Sequence, residues 1–480
     1  MPPEDAVILT NMFPTSGRLV TRNGFSEWAT ELGGEVEMLA EFNAGATRKM
    51  IAAADGSIFD VSTIGPVGAA LATGFSSNRW QWAQFDDSGG GARMGLVNGF
   101  DDPQIYDGST IASMTVSGSG LTPSDLVGIH IFKNRSYFWE VNSQNFWYSA
   151  VGALGGTLTK FPLGRVSGFG GNLIAMANWS RDAGDGEDDL AVFVMDSGDI
   201  VVYKGDDPGD ADAWALVGIY RGGAPLGVRA ITKLGSDVIV MTKDGYVPLS
   251  KIINLGRITE VGSISDKIQD EVNRVAQLYA ANYGWQAILY PRGQYILFNV
   301  PISSDFYQQH IINTSTQAWC KFEGMNGICW SLFNDRLYFG GVDGTVYLAD
   351  DGNTDNGSSI NIQVYTAWNY IVSRNYNKKL SGVRIYFDSA TTFTFTYGIG
   401  TDFINPTVFS SINSNVPAQS MWDEALWDVD FWGNDNIITK PWLSGNAYGM
   451  NFLLRVLMSV SNGPVNWYSY EYLYEPGGLI

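Results

Sequence analysis

Few side chains in this 480-residue chain have the type and spacing that chemistry requires. Two histidines, His130 and His310, lie far apart, each inside an apolar run that reads as a strand. A Ser-His-Asp or Cys-His arrangement needs one of them beside a nucleophile, a tertiary property that spacing alone neither supplies nor excludes. The two cysteines, Cys320 and Cys329, flank the turn-like Glu323 to Gly327. A cross-strand bridge would fit there, but the expectation is two buried thiols, since free cysteine packs as a small hydrophobe. No His/Cys set has zinc-site spacing, and no phosphate-cradling or dinucleotide-binding glycine motif occurs. No metal or other cofactor is therefore expected. Asp182 to Asp189 gathers five carboxylates into eight residues but lacks the spacing of a calcium loop, so it reads as a solvated acidic loop.

The most distinctive local run is Met421 to Trp432. It holds Trp422, Trp427 and Trp432 at intervals of five, with Asp423, Glu424, Asp428 and Asp430 between them. Tryptophans in such a run pack a core, anchor a subunit interface or stack on a sugar ring. The interleaved carboxylates would then face water or a lumen.

The elements that must carry these residues announce themselves through turns. Asp55-Gly56, Asn98-Gly99, Ser197-Gly198, Asp244-Gly245 and Asp343-Gly344 each separate short apolar runs, and their glycines are 43, 99, 47 and 99 residues apart. The long gaps are each about two short ones. The first contains His130 to Phe132, Tyr137 to Trp139 and Phe146 to Tyr148; the second contains Ala287 to Tyr290, Tyr295 to Phe298 and His310 to Ile312. Filling both gives seven units averaging roughly 48 residues, the period of propeller blades. Composition agrees: charged residues are only 16% and aromatics 13%, with 56 glycines, as aromatic strands and positive-φ turns require. The predicted fold is all-β, a propeller of six or seven blades with a further β-sandwich or platform.

Its predicted limits are an extended bracing segment over 1–35, the propeller over 36–352, and the β-rich platform over 353–480. One segment breaks the strand pattern. Ile264, Ile268, Val272 and Val275 recur at helical spacing after a Ser or Asp cap, which predicts a short inserted helix near 264–275. A net charge of -20 repels phosphate, which argues against a sequence reader that grips DNA. The opening Met1 to Asp5 lacks the basic start of a signal peptide, and no run approaches the roughly 20 apolar residues of a membrane span. The expectation is a soluble, non-secreted protein.

Taken in order, Asn11-Met12-Phe13-Pro14, Gly17-Arg18-Leu19, Ala224-Pro225-Leu226-Gly227, Asp244 to Ser250, the segment Ile264 to Val275, Asn313 to Trp319 and the Pro476-Gly477-Gly478 tail resemble the tail nozzle proteins of short-tailed, P22-like bacteriophages. Members of this family are also called packaged-DNA stabilisation proteins. The resemblance covers nearly the whole chain, and order carries it more than any one motif. It implies a non-enzymatic structural subunit of a virion tail, assembled in the host cytoplasm. Six copies would form a ring below the portal and head-to-tail adaptor, beside tail fibres or tailspikes, with propellers outside and β-rich domains around the DNA exit channel. Double-stranded DNA would pass without sequence-specific contact, since an acidic lumen repels phosphate. The alternatives are a glycan-binding propeller or glycoside hydrolase of a phage tail, and a cellular propeller scaffold.

Overall fold

The computed structural model describes residues 5–87, 91–168, 170–182, 187–255, 262–414 and 437–479. The five Gly turns all occupy one topological place, the link between the second and third strands of a sheet. Each of these glycines takes a positive φ, from +65° at Gly56 to +138° at Gly245, a region in which a Cβ is strained. The two doubled gaps hold one further turn each. One uses Asn142 at φ +54° between Arg135–Glu140 and Phe146–Tyr148. The other runs through 302–306, between Tyr295–Pro301 and Tyr307–Asn313, and has no glycine.

Seven blades result among the described residues. Their first strands are Met38–Ala44, Gln81–Asp87, Leu126–Phe132, Leu173–Asp182, Ile231–Leu234, Gln286–Tyr290 and Gly327–Phe333. The first strands neighbour one another in order, except that Leu173–Asp182 of the fourth blade meets Asp237–Thr242, the second strand of the fifth, and the seventh neighbours the first, so the ring is closed. Phe25–Thr30 joins Val346–Ala349 as the outer strand of the seventh blade, and Leu32 donates its N–H to Gly344 O at 3.1 Å. The chain's beginning thus completes its last blade, which leaves no open seam in the ring.

Apolar faces meet between neighbouring blades. Phe42, Trp80 and Tyr106 fill the space between the first and second. Between the third and fourth, Phe146 stacks on Phe161 and on Phe193, each at 4.7 Å, and Tyr203 stacks on Trp214 at 5.1 Å. Cys329 belongs to the core shared by the seventh and first blades. The fifth blade has three strands followed by a helix, Leu249–Leu255, whose Leu249 and Ile252 complete the core toward the fourth blade. The sequence reading missed this helix. The expected one is present as Gln269–Tyr279 after a 3-10 turn at Asp266–Ile268. It buries Val272, Val275 and Ala276, while Ile264 and Ile268 lie ahead of it and no side chain caps its start.

The chain divides into two compact units whose limits differ from the predicted ones. The propeller unit is Glu27–Gln308 with Asn326–Leu348, and the other is Met1–Ser26, Gln309–Met325 and Ala349–Ile480. The predicted 1–35 segment is divided between them: its first 26 residues supply strands to the second unit, and the rest belong to the propeller unit. Residues 309–325, predicted as propeller, also belong there.

That second unit is a β-sandwich. In one sheet Trp319–Glu323, Ala6–Thr10, Ile360–Thr366, Phe452–Val460, Thr394–Thr401 and Ser410–Asn413 lie in order. In the other, Met12–Thr15, Arg18–Thr21, Val465–Leu479 and Tyr376–Ser389 lie in order, and the last also pairs with Ile437–Thr439 and Trp442–Gly449. Alternation puts Ile360, Ile362 and Val364 on the inner face against Val383, Ile385, Phe387 and Trp467. The final strand runs through Pro476 to Leu479, with a register shift between Tyr376 and Lys378 opposite the proline and glycines.

Arg22 ties the three segments of the sandwich together. Its side chain is 2% exposed and forms a two-point pair with Asp355 at 2.8 and 2.6 Å. The remaining donors go to Glu323 O at 2.7 Å, Asn23 O at 2.9 Å and Asn11 Oδ1 at 2.9 Å. All five guanidinium N–H groups are used, as a buried arginine requires.

Candidate functional site

The propeller's central channel concentrates polar side chains among apolar walls. Its lining comes from the first strands, which place one residue in two toward the axis. Arg229 lies two residues ahead of the fifth blade's first strand, and it reaches the opposite side of the ring. Nη1 donates to Glu37 O at 3.0 Å, Nη2 to Trp80 O at 2.8 Å, and Nε contacts Gln81 Oε1 at 3.5 Å. Glu37 and Trp80 precede the first and second blades, each three places from the fifth around a ring of seven. The guanidinium therefore bars this end of the channel. Tyr283, ahead of the sixth blade, donates its hydroxyl to Glu37 O at 3.1 Å. Burial pushes that hydroxyl's pKa up to about 12, so it stays a donor. Arg79 stacks on the Tyr283 ring at 4.1 Å and pairs with the Glu37 carboxylate at 2.8 Å.

Beyond this bar lie two cavities of about 330 Å³ each, with Gln81, Trp82 and Ile231 as their shared wall. One is lined further by Ile129, His130, Met176, Asn178 and Lys233, the other by Leu39, Glu41, Gln286, Ile288 and Leu332. Trp82 stands 37% exposed between them. Trp139 also faces the first, its indole laid over Gly128, where a Cβ would approach the ring to 2.0 Å. Burial raises the pKa of the Glu41 carboxyl, partly opposed by Arg48.

His130 Nε2 is 2.9 Å from Asn178 Oδ1, while Asn178 Nδ2 donates to Ile131 O at 3.0 Å. The amide thus presents its oxygen to the ring, and Nε2 carries the proton. Burial lowers the His130 pKa to about 4, with Lys233 adding to the shift, so the ring is neutral near pH 7. The partner of the His130 ring is the Asn178 amide and not a nucleophile, and His310 is buried in a strand of the sandwich unit. Cys320 and Cys329 are both free and buried, as expected. The Cys329 thiol, its pKa pushed up to about 12 by burial, points at Val36 O from 3.2 Å. It packs and does not react.

Trp422, Trp427 and Trp432, with Asp423, Glu424, Asp428 and Asp430, lie outside the described residues. So do the central residues of the acidic loop, which joins Leu173–Asp182 to Glu187–Met195. Among the described residues no group of three or more His, Cys, Asp or Glu is placed to hold a metal ion. The sandwich offers a different feature. Phe403, Ile404 and Val408 are 63%, 68% and 79% exposed, and beside them Phe409 covers Arg455, whose guanidinium lies between the Phe409 and Tyr365 rings at 4.9 and 4.4 Å. Four apolar side chains within seven residues exceed the scattered exposure usual on a protein surface.

The sequence reading missed Arg229 and Trp82 as channel residues. A signal existed for Arg229: the fifth and seventh units align on their Asp-Gly turns at an offset of 99, and the position equivalent to Arg229 is Ile328. A charged residue where its repeat partner is apolar marks a place where the blade does something besides pack.

No known family profile matches the chain, and no curated protein matches it. Among solved structures it is similar to the β-propeller domain of Cps50 (Swd1) from Myceliophteria thermophila, with a TM-score of 0.40 at 13% identity over 67% of this chain and 99% of that one. It is also similar to YCF48 bound to D1 peptide, with a TM-score of 0.37 at 8% identity over 73% and 98%. A third likeness, to BBS1N in complex with ARL6DN, has a TM-score of 0.31 at 12% identity and spans 64% of that chain. Likenesses this distant concern the propeller fold and carry nothing about function.

Proposed function

We propose that this chain is a non-enzymatic structural subunit of a short phage tail, whose copies form a ring, six by family resemblance, that retains packaged DNA and conducts it during ejection. The reading is carried by one coincidence: the ordered nozzle-like motifs occur in a chain that combines a closed propeller with a β-sandwich built from both ends. The barred propeller channel is compatible with it, because the DNA conduit in such a ring is made by several copies together and not by the hole in one propeller. The exposed Phe403, Ile404, Val408 and Phe409 supply an apolar patch for a heterologous contact repeated around the ring. The net charge of -20 suits a wall past which DNA slides.

In this role the chain sits in the virion tail below portal and adaptor, contacts fibres or tailspikes, and needs no cofactor. Light scattering of the purified chain, alone and with its portal and adaptor, tests it. A closed ring near six copies is expected, and Val408→Asp should shift it toward monomer. A chain that stays monomeric even with portal and adaptor present would refute the proposal.

A further inference from the structure

The half of the propeller channel beside Lys233 has the chemistry of a ligand socket. Arg229 spans the channel at the end beside Glu37 and Trp80. Its walls are mostly apolar, with Ile129, Met176 and Ile231 around the exposed face of Trp82, and the volume is at the small end of the range for ligand pockets. Lys233 is the one cation among the lining residues, and no carboxylate lines this half. Among the described residues the Lys233 side chain makes no ion pair or hydrogen bond, so its ammonium is free to pair with a ligand. His130 contributes no charge, being neutral with its Nε2 proton directed at Asn178.

We propose that this socket binds a small organic carboxylate with an apolar body, the carboxylate paired with Lys233 and the body stacked on Trp82. The alternatives fit less well. A pyranose presents hydroxyls around its whole edge, whereas His130, Asn178 and Gln81 are already engaged with protein partners and the rest of the wall is mostly apolar. A phosphate calls for more than one cation or a set of converging N–H donors, and neither lines the cavity. A carboxylate needs one ammonium, and an aromatic or branched body matches the tryptophan and aliphatic walls. The same group is offered by a free metabolite or by the C-terminus of a peptide ending in an apolar residue.

Ligand-observed NMR and calorimetry on the full chain, with phenylacetate as the probe and neutral phenylacetamide as its control, test the proposal. Phenylacetate should bind saturably with a Kd of about 1 mM, as expected for a ligand of this size, and the amide about tenfold more weakly. Lys233→Met, at an exposed position, should weaken phenylacetate by about tenfold and leave the amide unchanged. Trp82→Ala should weaken both, with its melting curve recorded to establish that it folds. An Ala-Ala-Phe peptide with a free C-terminus separates the sources: binding equal to phenylacetate points to a chain end, and no binding points to a free acid. Absence of saturable phenylacetate binding up to about 50 mM, equal binding of acid and amide, or an unchanged affinity in Lys233→Met overturns the assignment.

Discussion

The propeller and the sandwich use the chain in opposite ways. In the propeller, strands pair with their sequence neighbours across short turns, and one long-range pairing, Phe25–Thr30 beside Val346–Ala349, closes the ring. In the sandwich, Ala6–Thr10 lies between Trp319–Glu323 and Ile360–Thr366, and Arg18–Thr21 pairs with Val465–Leu479. A blade's strand pairings lie within about forty or fifty residues, although its apolar faces are buried only against the neighbouring blades; the sandwich's pairings join both ends of the chain. Loop-closure entropy makes such distant pairings slow and costly until buried contacts compensate. The difference predicts where single substitutions spread and where they stay local.

The largest effect is expected at Arg22. Arg22→Met strands the mostly buried Asp355 carboxylate and frees the Asn11 and Glu323 acceptors, with a loss of about 3–5 kcal/mol. Urea denaturation should show it, and limited proteolysis should find new cuts in 1–26, 309–325 and 349–480 together. The double variant Arg22→Met/Asp355→Leu should recover part of the loss, because the uncompensated charge is removed. If cuts appear in only one of the three segments, Arg22 does not tie them and the contrast with the propeller fails.

Trp214→Ala is the propeller's counterpart. The side chain is 5% exposed and stacks on Tyr203, so truncation should cost about 3–5 kcal/mol by leaving a cavity. The damage should be confined. Hydrogen exchange should quicken in the third and fourth blades, near Phe146, Phe193 and Tyr203, and remain slow around Cys329 and Val36. Uniform acceleration around all seven blades would mean that the ring opens as one unit, and that local pairing does not make its blades separable.

The same contrast explains what the sequence revealed. Blades were legible because a tight turn needs a residue tolerant of positive φ and because both partners of each pairing lie within a few residues. Five of seven second-to-third turns carry the glycine; the other two were found from the gaps they left. The sandwich's own strands were legible as alternations such as Phe393 to Tyr397, but nothing local says that residues 6–10 and 319–323 are neighbours. The predicted propeller of 36–352 therefore enclosed 309–325, which belongs to the sandwich unit. The channel's chemistry was hidden for a related reason. Arg229 acts on backbone carbonyls of Glu37 and Trp80, and a carbonyl acceptor leaves no trace in residue type. Trp82 looks like any strand tryptophan until the closing of the ring exposes it.

The channel also gives the propeller a pH response, smaller than either truncation. His130 has a native pKa of about 4, lowered by burial, against roughly 6.5 in the unfolded chain. A base whose native pKa is depressed binds its proton preferentially when unfolded. Stability from this site is therefore complete above about pH 6.5 and declines as pH falls toward 4, by at most about 3 kcal/mol. The histidine must charge beside Lys233, which opposes protonation further. His130→Gln keeps a donor for Asn178 Oδ1 and cannot titrate, so the stability gap between wild type and variant should narrow or reverse between pH 7.5 and 4.5. Carboxylates with lowered pKa, among them Asp101 and Asp60, respond to acid in both proteins and cancel in the difference. A gap that stays constant over that range would place His130 in contact with water at the axis, and the neutral ring assigned to the socket wall would have to be abandoned.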